Sequence, residues 1–357
     1  MIGLRIVLLA LLAVLLGDSA WARREALTDQ QKQQLPQINR ILVDVIALTD
    51  QGPADATPFR DVIAARLGEL GFDLVRDASQ PHDVVLKVKC EQRKVWEGTM
   101  ASGGDADLPD SPLRTWKGPA CQLTYLLAGK STQWKKEVRT DFTDAMAAAA
   151  AVKAADPGAY ALTQLKHRLE EYDFPLLLAA DWGQEDRLLK FLGTSPPVPR
   201  KVRAIQALGE MFSAKSVSLL QASLKDQNPE VVKAAAIALG NIGQRESIEM
   251  LVALLKQGTA GHKQAAARAL GKVGALHGDS SIIPPLLDAL GTNDVALQTE
   301  VVWALGQLPD RRAYEPLAAL QRSLRNVRTS DRTSPEGKLW EAVTYSLKEL
   351  DGFDQFN

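Results

Sequence analysis

The sequence predicts a small α+β domain followed by an all-α solenoid of stacked helical hairpins. Two observations predict the solenoid. The tripeptide Ala-Leu-Gly recurs at Ala207-Leu208-Gly209, Ala238-Leu239-Gly240, Ala269-Leu270-Gly271 and Ala304-Leu305-Gly306, with its glycines 31, 31 and 35 residues apart. A fixed period in the range of roughly 20–50 residues marks a repeat architecture. Around each glycine the same phrase is written, an Ala-rich apolar helix, a short break and a second apolar helix. A third observation predicts the α+β domain: upstream of residue 143 the apolar period changes to the alternation of strands.

The residue choices within a repeat have physical causes. Alanine lets neighbouring helices approach closely at no side-chain entropy cost. The glycine is expected to take the left-handed conformation that ends a first helix. Asn228-Pro229-Glu230 reads as N-cap, first-turn proline and an acidic residue at the positive helix end. A single hairpin cannot bury its apolar face, so stacked copies share one core. The phrase running from Asn228 to Gly243 resembles a HEAT repeat of the short type found in phycobilisome bilin lyases. The resemblance covers about residues 174–350 and implies a scaffold fold. Function has to be sought in sites carried by that scaffold.

Taken in order, residues 1–22 read as a signal peptide. Arg5 supplies a basic start, residues 6–16 an apolar run, and Ala20-Trp21-Ala22 a small-residue cleavage site. The run is shorter than the roughly 20 residues that span a bilayer, and an uncleaved anchor is the alternative. With no lipid-anchor cysteine near the cleavage site, the mature chain is expected to be exported, periplasmic or extracellular, with no membrane-spanning segment left. Residues 23–35 form a polar, Gln-rich leader.

Residues 36–143 make the α+β domain. Strands are expected at 38–48, 72–75, 83–96, 121–127 and 134–142, with an amphipathic helix at 58–70, in a mostly antiparallel sheet. The run Gly71-Phe72-Asp73-Leu74-Val75 with His82-Asp83-Val84-Val85-Leu86 is similar to small domains of bacterial envelope proteins. Residues 144–173 read as an Ala-rich linker and helix. Residues 174–350 are the repeats with a degenerate first copy and a C-terminal capping helix, and 351–357 are a tail.

Composition excludes some classes. The 357 residues carry a net charge of −1, with 46% hydrophobic and 24% charged residues. That balance argues against a general nucleic-acid binder, which would show a basic excess. Cys90 and Cys121 are the two cysteines and fall on the apolar faces of candidate neighbouring strands. In an exported chain they point to a disulfide, the alternative being two reduced core cysteines. Residues 96–119 between them read as a long loop with Trp96, Arg114, Trp116 and Lys117 as candidate partner contacts.

Chemistry-bearing motifs are weak. The acidic residues Asp105, Asp107 and Asp110 do not keep calcium-loop spacing, because Pro109 and Trp116 occupy ligand positions. Gly129-Lys130-Ser131-Thr132 lacks the upstream glycine of a phosphate loop. The four histidines precede Asp83, Arg168, Lys263 and Gly278, so the His-Glu pairs of a HEAT-repeat di-iron hydroxylase are missing, as are zinc-protease and serine-hydrolase motifs. No enzyme, cofactor or metal is expected.

Two functions remain. The first is an exported scaffold that binds a protein or peptide partner in the cell envelope, on the concave face that the HEAT-like resemblance implies is lined by the second helices of the hairpins. Gln221, Glu249, Asp288 and Arg312 are its candidate contacts, with Leu219, Leu251, Leu286 and Leu317 packed inward. The second is a structural component of an envelope assembly. A bilin-lyase-like enzyme stands behind both.

Overall fold

The computed structural model describes residues 27–99, 113–325 and 333–354, without the side chains of 93–99, 113–117, 353 and 354. The proposed signal peptide, 1–22, lies outside the described residues. The chain forms two compact units, residues 1–175 and 176–357.

The first unit is a mixed six-stranded sheet with helices. Its strands are β1 (Arg40–Thr49), β2 (Gly52–Ala54), β3 (Asp73–Val75), β4 (Val84–Thr99), β5 (Leu113–Leu127) and β6 (Lys130–Arg139). The path runs β2-β1-β4-β5-β6, with β3 pairing the start of β1. β1 is parallel to β3 and β4, whereas β4, β5 and β6 form an antiparallel meander. Among the described residues four α-helices belong to this region: α1 (Asp29–Gln34), α2 (Thr57–Glu69), α3 (Ala145–Ala151) and α4 (Pro157–Glu171). α2 and α4 pack on each other and on the sheet.

Alternation sorts the sheet faces. Val84, Leu86, Val88 and Cys90 of β4 and Cys121, Leu123, Tyr125 and Leu127 of β5 are buried, while Lys87, Lys89 and Thr124 lie on the opposite side. α4 approaches closely because Gly158 has no Cβ; one placed there would stand 2.9 Å from Gln92 Oε1. The Gln92 oxygen also accepts the Asp50 amide at 3.0 Å. Buried Arg66 is held by Glu69 and Asp173, each at 3.0 Å, and donates to the Tyr172 carbonyl at 3.2 Å.

Cys90 and Cys121 stand opposite each other in the β4–β5 register and are joined by a disulfide. The expectation of a long loop over residues 96–119 is corrected. Pairing continues past a bulge to Thr99↔Leu113, so residues 96–99 and 113–119 are hairpin strands, and 100–112 lie outside the described residues. The turn at Ala128-Gly129 has positive φ at both residues and joins β5 to β6, so Gly129-Lys130 opens a strand and no helix follows.

The second unit is a stack of hairpins. α5 (Phe174–Asp181), which crosses the boundary between units, and α6 (Glu185–Gly193) precede the regular copies. First helices are α7 (Val198–Glu210), α9 (Pro229–Ile242), α11 (Ala260–His277) and α13 (Val295–Gly306). Second helices are α8 (Val217–Ser223), α10 (Ile248–Gln257), α12 (Ile283–Leu290) and α14 (Tyr314–Ser323), each entered through a short 3-10 turn. α15 (Pro335–Asp354) closes the stack against α13 and α14. The 35-residue step arises in α11, which runs one turn longer than its counterparts.

The repeat glycines do not take the expected left-handed cap. They lie inside or at the end of their helices and are buried, and the left-handed residues are Phe212, Gly243 and Gly278 further on. What the repeat glycine provides is contact. A Cβ at Gly209 would stand 2.7 Å from Ala238 Cβ. At Gly240 and Gly271 it would stand 2.7 Å from the Cα of Ala269 and Ala304 respectively. At Gly306 the neighbour is Ser346 of α15, whose hydroxyl donates to the Val302 carbonyl at 3.1 Å. In the second layer Leu220, Leu251, Leu286 and Leu317 are fully buried. The expected Leu219 is half-buried, one position out of the register that the other repeats keep.

Two predictions follow from packing. Gly240→Ala should destabilise the repeats by about 1–3 kcal/mol, because overpacking outweighs the gain of up to about 1 kcal/mol in helix propensity. Gly261→Ala, where nothing lies within 4 Å, should be neutral or stabilising in the same thermal melts. Equal effects at both sites would contradict the contact. Removing the disulfide, whose cysteines are 31 residues apart, by Cys90→Ala and Cys121→Ala should lower the stability of the first unit by about 3–4 kcal/mol on the chain-entropy estimate. Repeat helicity should persist through that change, as followed by circular dichroism with chemical denaturation.

Candidate functional site

The first-layer helices carry their small residues toward each other and a different set toward solvent. Three residues before each repeat glycine stand Gln206, Ile237, Arg268 and Trp303, and Tyr345 holds the matching place on α15. All are exposed except Ile237, which is half-buried. One residue after each glycine stand Glu210, Asn241, Lys272 and Gln307. These positions make two parallel rows crossing the first layer.

The rows are tied across repeats. Arg268 Nε donates to Glu300 at 2.8 Å, and its second nitrogen reaches the other carboxylate oxygen. That bidentate pair holds the guanidinium pKa above its ordinary value. Lys272 donates to the Asn241 side chain at 2.7 Å. Trp303 and Tyr345 have ring centroids 5.3 Å apart with planes inclined at 52°.

The sequence-derived contacts divide into three groups. Gln221 Nε2 donates to the Glu246 carbonyl at 3.1 Å, and Arg312 bonds to Asp310 and to the Ser280 carbonyl, so both side chains link neighbouring repeats. Glu249 and Asp288 are exposed on α10 and α12. Asp288 lines a cleft of about 430 Å³ with Leu255, Lys256, Lys263, Pro285 and Leu297. Trp96 and Trp116 are paired across the β4–β5 hairpin, with Arg114 and Lys117 beside them on β5, and the side chains of these four lie outside the described residues.

A polar ladder runs along the turns between first and second helices. Lys215 pairs with Asp186 at 3.1 Å, and Arg245 pairs with Asp279 at 2.8 Å. Asp279 caps its turn by accepting the Ser281 amide at 3.0 Å. Ser281 first, and Arg245 after it, hold the Asp279 pKa down at about 2.

Sequence reasoning missed the first-layer rows, although aligning the chain on its repeat glycines brings Gln206, Ile237, Arg268 and Trp303 into one column. Tyr345 was hidden because α15 lacks the glycine and an inserted polar segment breaks the period. Among the described residues no helix is long and apolar enough to cross a membrane, and no group of His, Cys, Asp and Glu side chains is placed to hold a metal ion.

Comparison with known proteins identifies the repeats. Residues 185–271 and 259–331 match HEAT repeats. An engineered protein of known structure is 24% identical, covering 50% of this chain and 84% of its own, with a TM-score of 0.37. A designed armadillo repeat protein in complex with the peptide (KR)4 is 19% identical, covering 53% of this chain and 94% of its own, also at 0.37. No curated protein matches the chain. The C-terminal half is therefore a stack of HEAT repeats following a mixed sheet with helices.

The ladder has a pH signature. The Asp279 value lies below its reference of 3.8, so its ionised form stabilises the fold fully above about pH 4 and that contribution is lost as pH falls toward 2. Carboxyl NMR titration should place Asp279 near 2, and Asp279→Asn should flatten the acid limb of repeat stability. A titration midpoint near 4 would contradict the pairing.

Proposed function

We propose that this protein is a non-enzymatic scaffold whose HEAT repeats bind a segment of a protein partner, and that it works in an oxidising, exported setting. The carrying observation is the continuous double row on the first-layer helices, formed by side chains whose own helices pack through glycine and alanine beneath them. Helices in contact through Gly and Ala lie at the short end of the usual 8–10 Å spacing. In a curved stack the more closely spaced layer is the inner one, so the first-layer face is concave. This moves the binding face from the second helices to the first. A concave face with mixed charge and few large apolar groups suits a polar, selective partner.

Export is supported by two independent features. Arg5 is followed by a short apolar run and small residues, and the two cysteines form a disulfide, which persists in oxidising compartments.

A photo-crosslinking amino acid at Gln206 or Ile237 should trap a partner from envelope extract, while the same group at Glu249 or Asp288 traps little. Crosslinking only from the second-layer positions would contradict the assignment of the face. Mass spectrometry should find a mature N-terminus near Arg23; an intact Met1 on the cytoplasmic protein would contradict export.

A further inference from the structure

The C-terminal end of the first-layer row differs in chemistry from the rest. Trp303 and Tyr345 are 38% and 52% exposed, although large aromatic side chains are normally mostly covered. The two rings lie side by side, with centroids 5.3 Å apart and planes inclined at 52°. One turn beyond Tyr345 stands Glu349, whose carboxylate raises the Tyr345 pKa. Aromatic faces attract cations, most strongly at Trp, and guanidinium groups stack on them readily.

The surrounding charges fit the same class of ligand. Arg268, the next member of the row, is neutralised by its bidentate bond to Glu300, so it does not repel a second cation. Glu341 and Glu349 flank Tyr345 by one turn on either side. The cations on α15 are Lys338, two turns away, and Lys348. Lys348 stands where the other first helices carry their repeat glycine, on the flank that a further repeat would cover.

We propose that Trp303, Tyr345 and Glu349 receive an arginine side chain from an extended partner segment lying across the first-layer helices. The guanidinium stacks on the rings and bonds to the Glu349 carboxylate. This rests on the reading of the first-layer row as the binding face, and it names the chemistry at one end of it. An extended chain advances about 3.3 Å per residue, so roughly three residues carry it from one first-layer helix to the next.

The test uses the full-length protein and an eleven-residue Gly-Ser peptide carrying two arginines three residues apart, with a citrulline-substituted twin. Titration calorimetry, with the Trp303 indole N–H followed by NMR, should show saturable binding of the arginine peptide. Trp303→Ala and Tyr345→Ala should each weaken it at least tenfold and Glu349→Gln several-fold, while Trp303→Phe, which keeps a ring, retains most of it. The citrulline peptide should not bind. Absence of saturation by about 5 mM, at the weak end of measurable affinity, would overturn the proposal. So would equal binding of the citrulline peptide or indifference to Trp303→Ala. If the arginine peptide fails while crosslinkers at Gln206 and Ile237 still trap a partner, the arginine pocket falls and the binding-face reading stands. Failure of both removes both.

Discussion

The spacing of the repeats depends on a hydrogen atom where most helical residues carry a methyl group. Gly209, Gly240 and Gly271 each meet an alanine of the next first helix at a distance that excludes a Cβ. That contact fixes the distance between successive helices, their register and the direction of the stack. It also explains why alanine fills these helices: any larger residue at Ala238, Ala269 or Ala304 would push the neighbouring backbone away. The second layer has no such constraint and packs through Leu220, Leu251, Leu286 and Leu317. The proposed binding face takes the closely held first layer as the inner side of the stack. The terminal helix keeps the contact with a serine, and because Ser346 is one atom larger than alanine its hydroxyl is satisfied by the Val302 carbonyl.

The first unit solves a different problem. Its covered face is built by alternation on β4 and β5, and the disulfide joins the middle strands of the sheet beneath α4. β1 lies parallel to β4, which requires a crossover, and the intervening chain supplies α2 and β3 for it. Arg66, buried and held by Glu69, Asp173 and the Tyr172 carbonyl, secures α2 to the chain that leaves α4. A guanidinium in that position is tolerated because it meets two carboxylates and a carbonyl.

Much of this was legible in the sequence, for reasons that can be named. Asn228-Pro229-Glu230 begins a helix because local capping chemistry decides it, and the Asn228 side chain does accept the Glu230 amide at 2.9 Å. Buried and exposed positions on β4 and β5 followed from alternation. The repeat glycines were located correctly and explained wrongly, since a glycine near a helix end can serve a left-handed cap or a close approach, and only the neighbour in space decides. The β4–β5 hairpin was cut short because Gly98, Pro119 and the bulge between Glu91 and Lys94 interrupt the strand pattern. The candidate site was legible only in part. Gln221 and Arg312 were chosen as free polar side chains, yet they reach a neighbouring repeat, a long-range bond that periodicity does not reveal. Trp303 lies on an apolar helix, where nothing in the periodicity marks it as exposed.

The central claim is that the first layer is the inner one, and distances between spin labels test it most directly. Gln206 and Trp303 are equivalent exposed positions three repeats apart in the first layer, and Ser218 and Glu315 are equivalent exposed positions in the second. Double electron–electron resonance should give a shorter distance for the 206–303 pair than for the 218–315 pair. An equal distance, or a longer one across the first layer, would contradict the account.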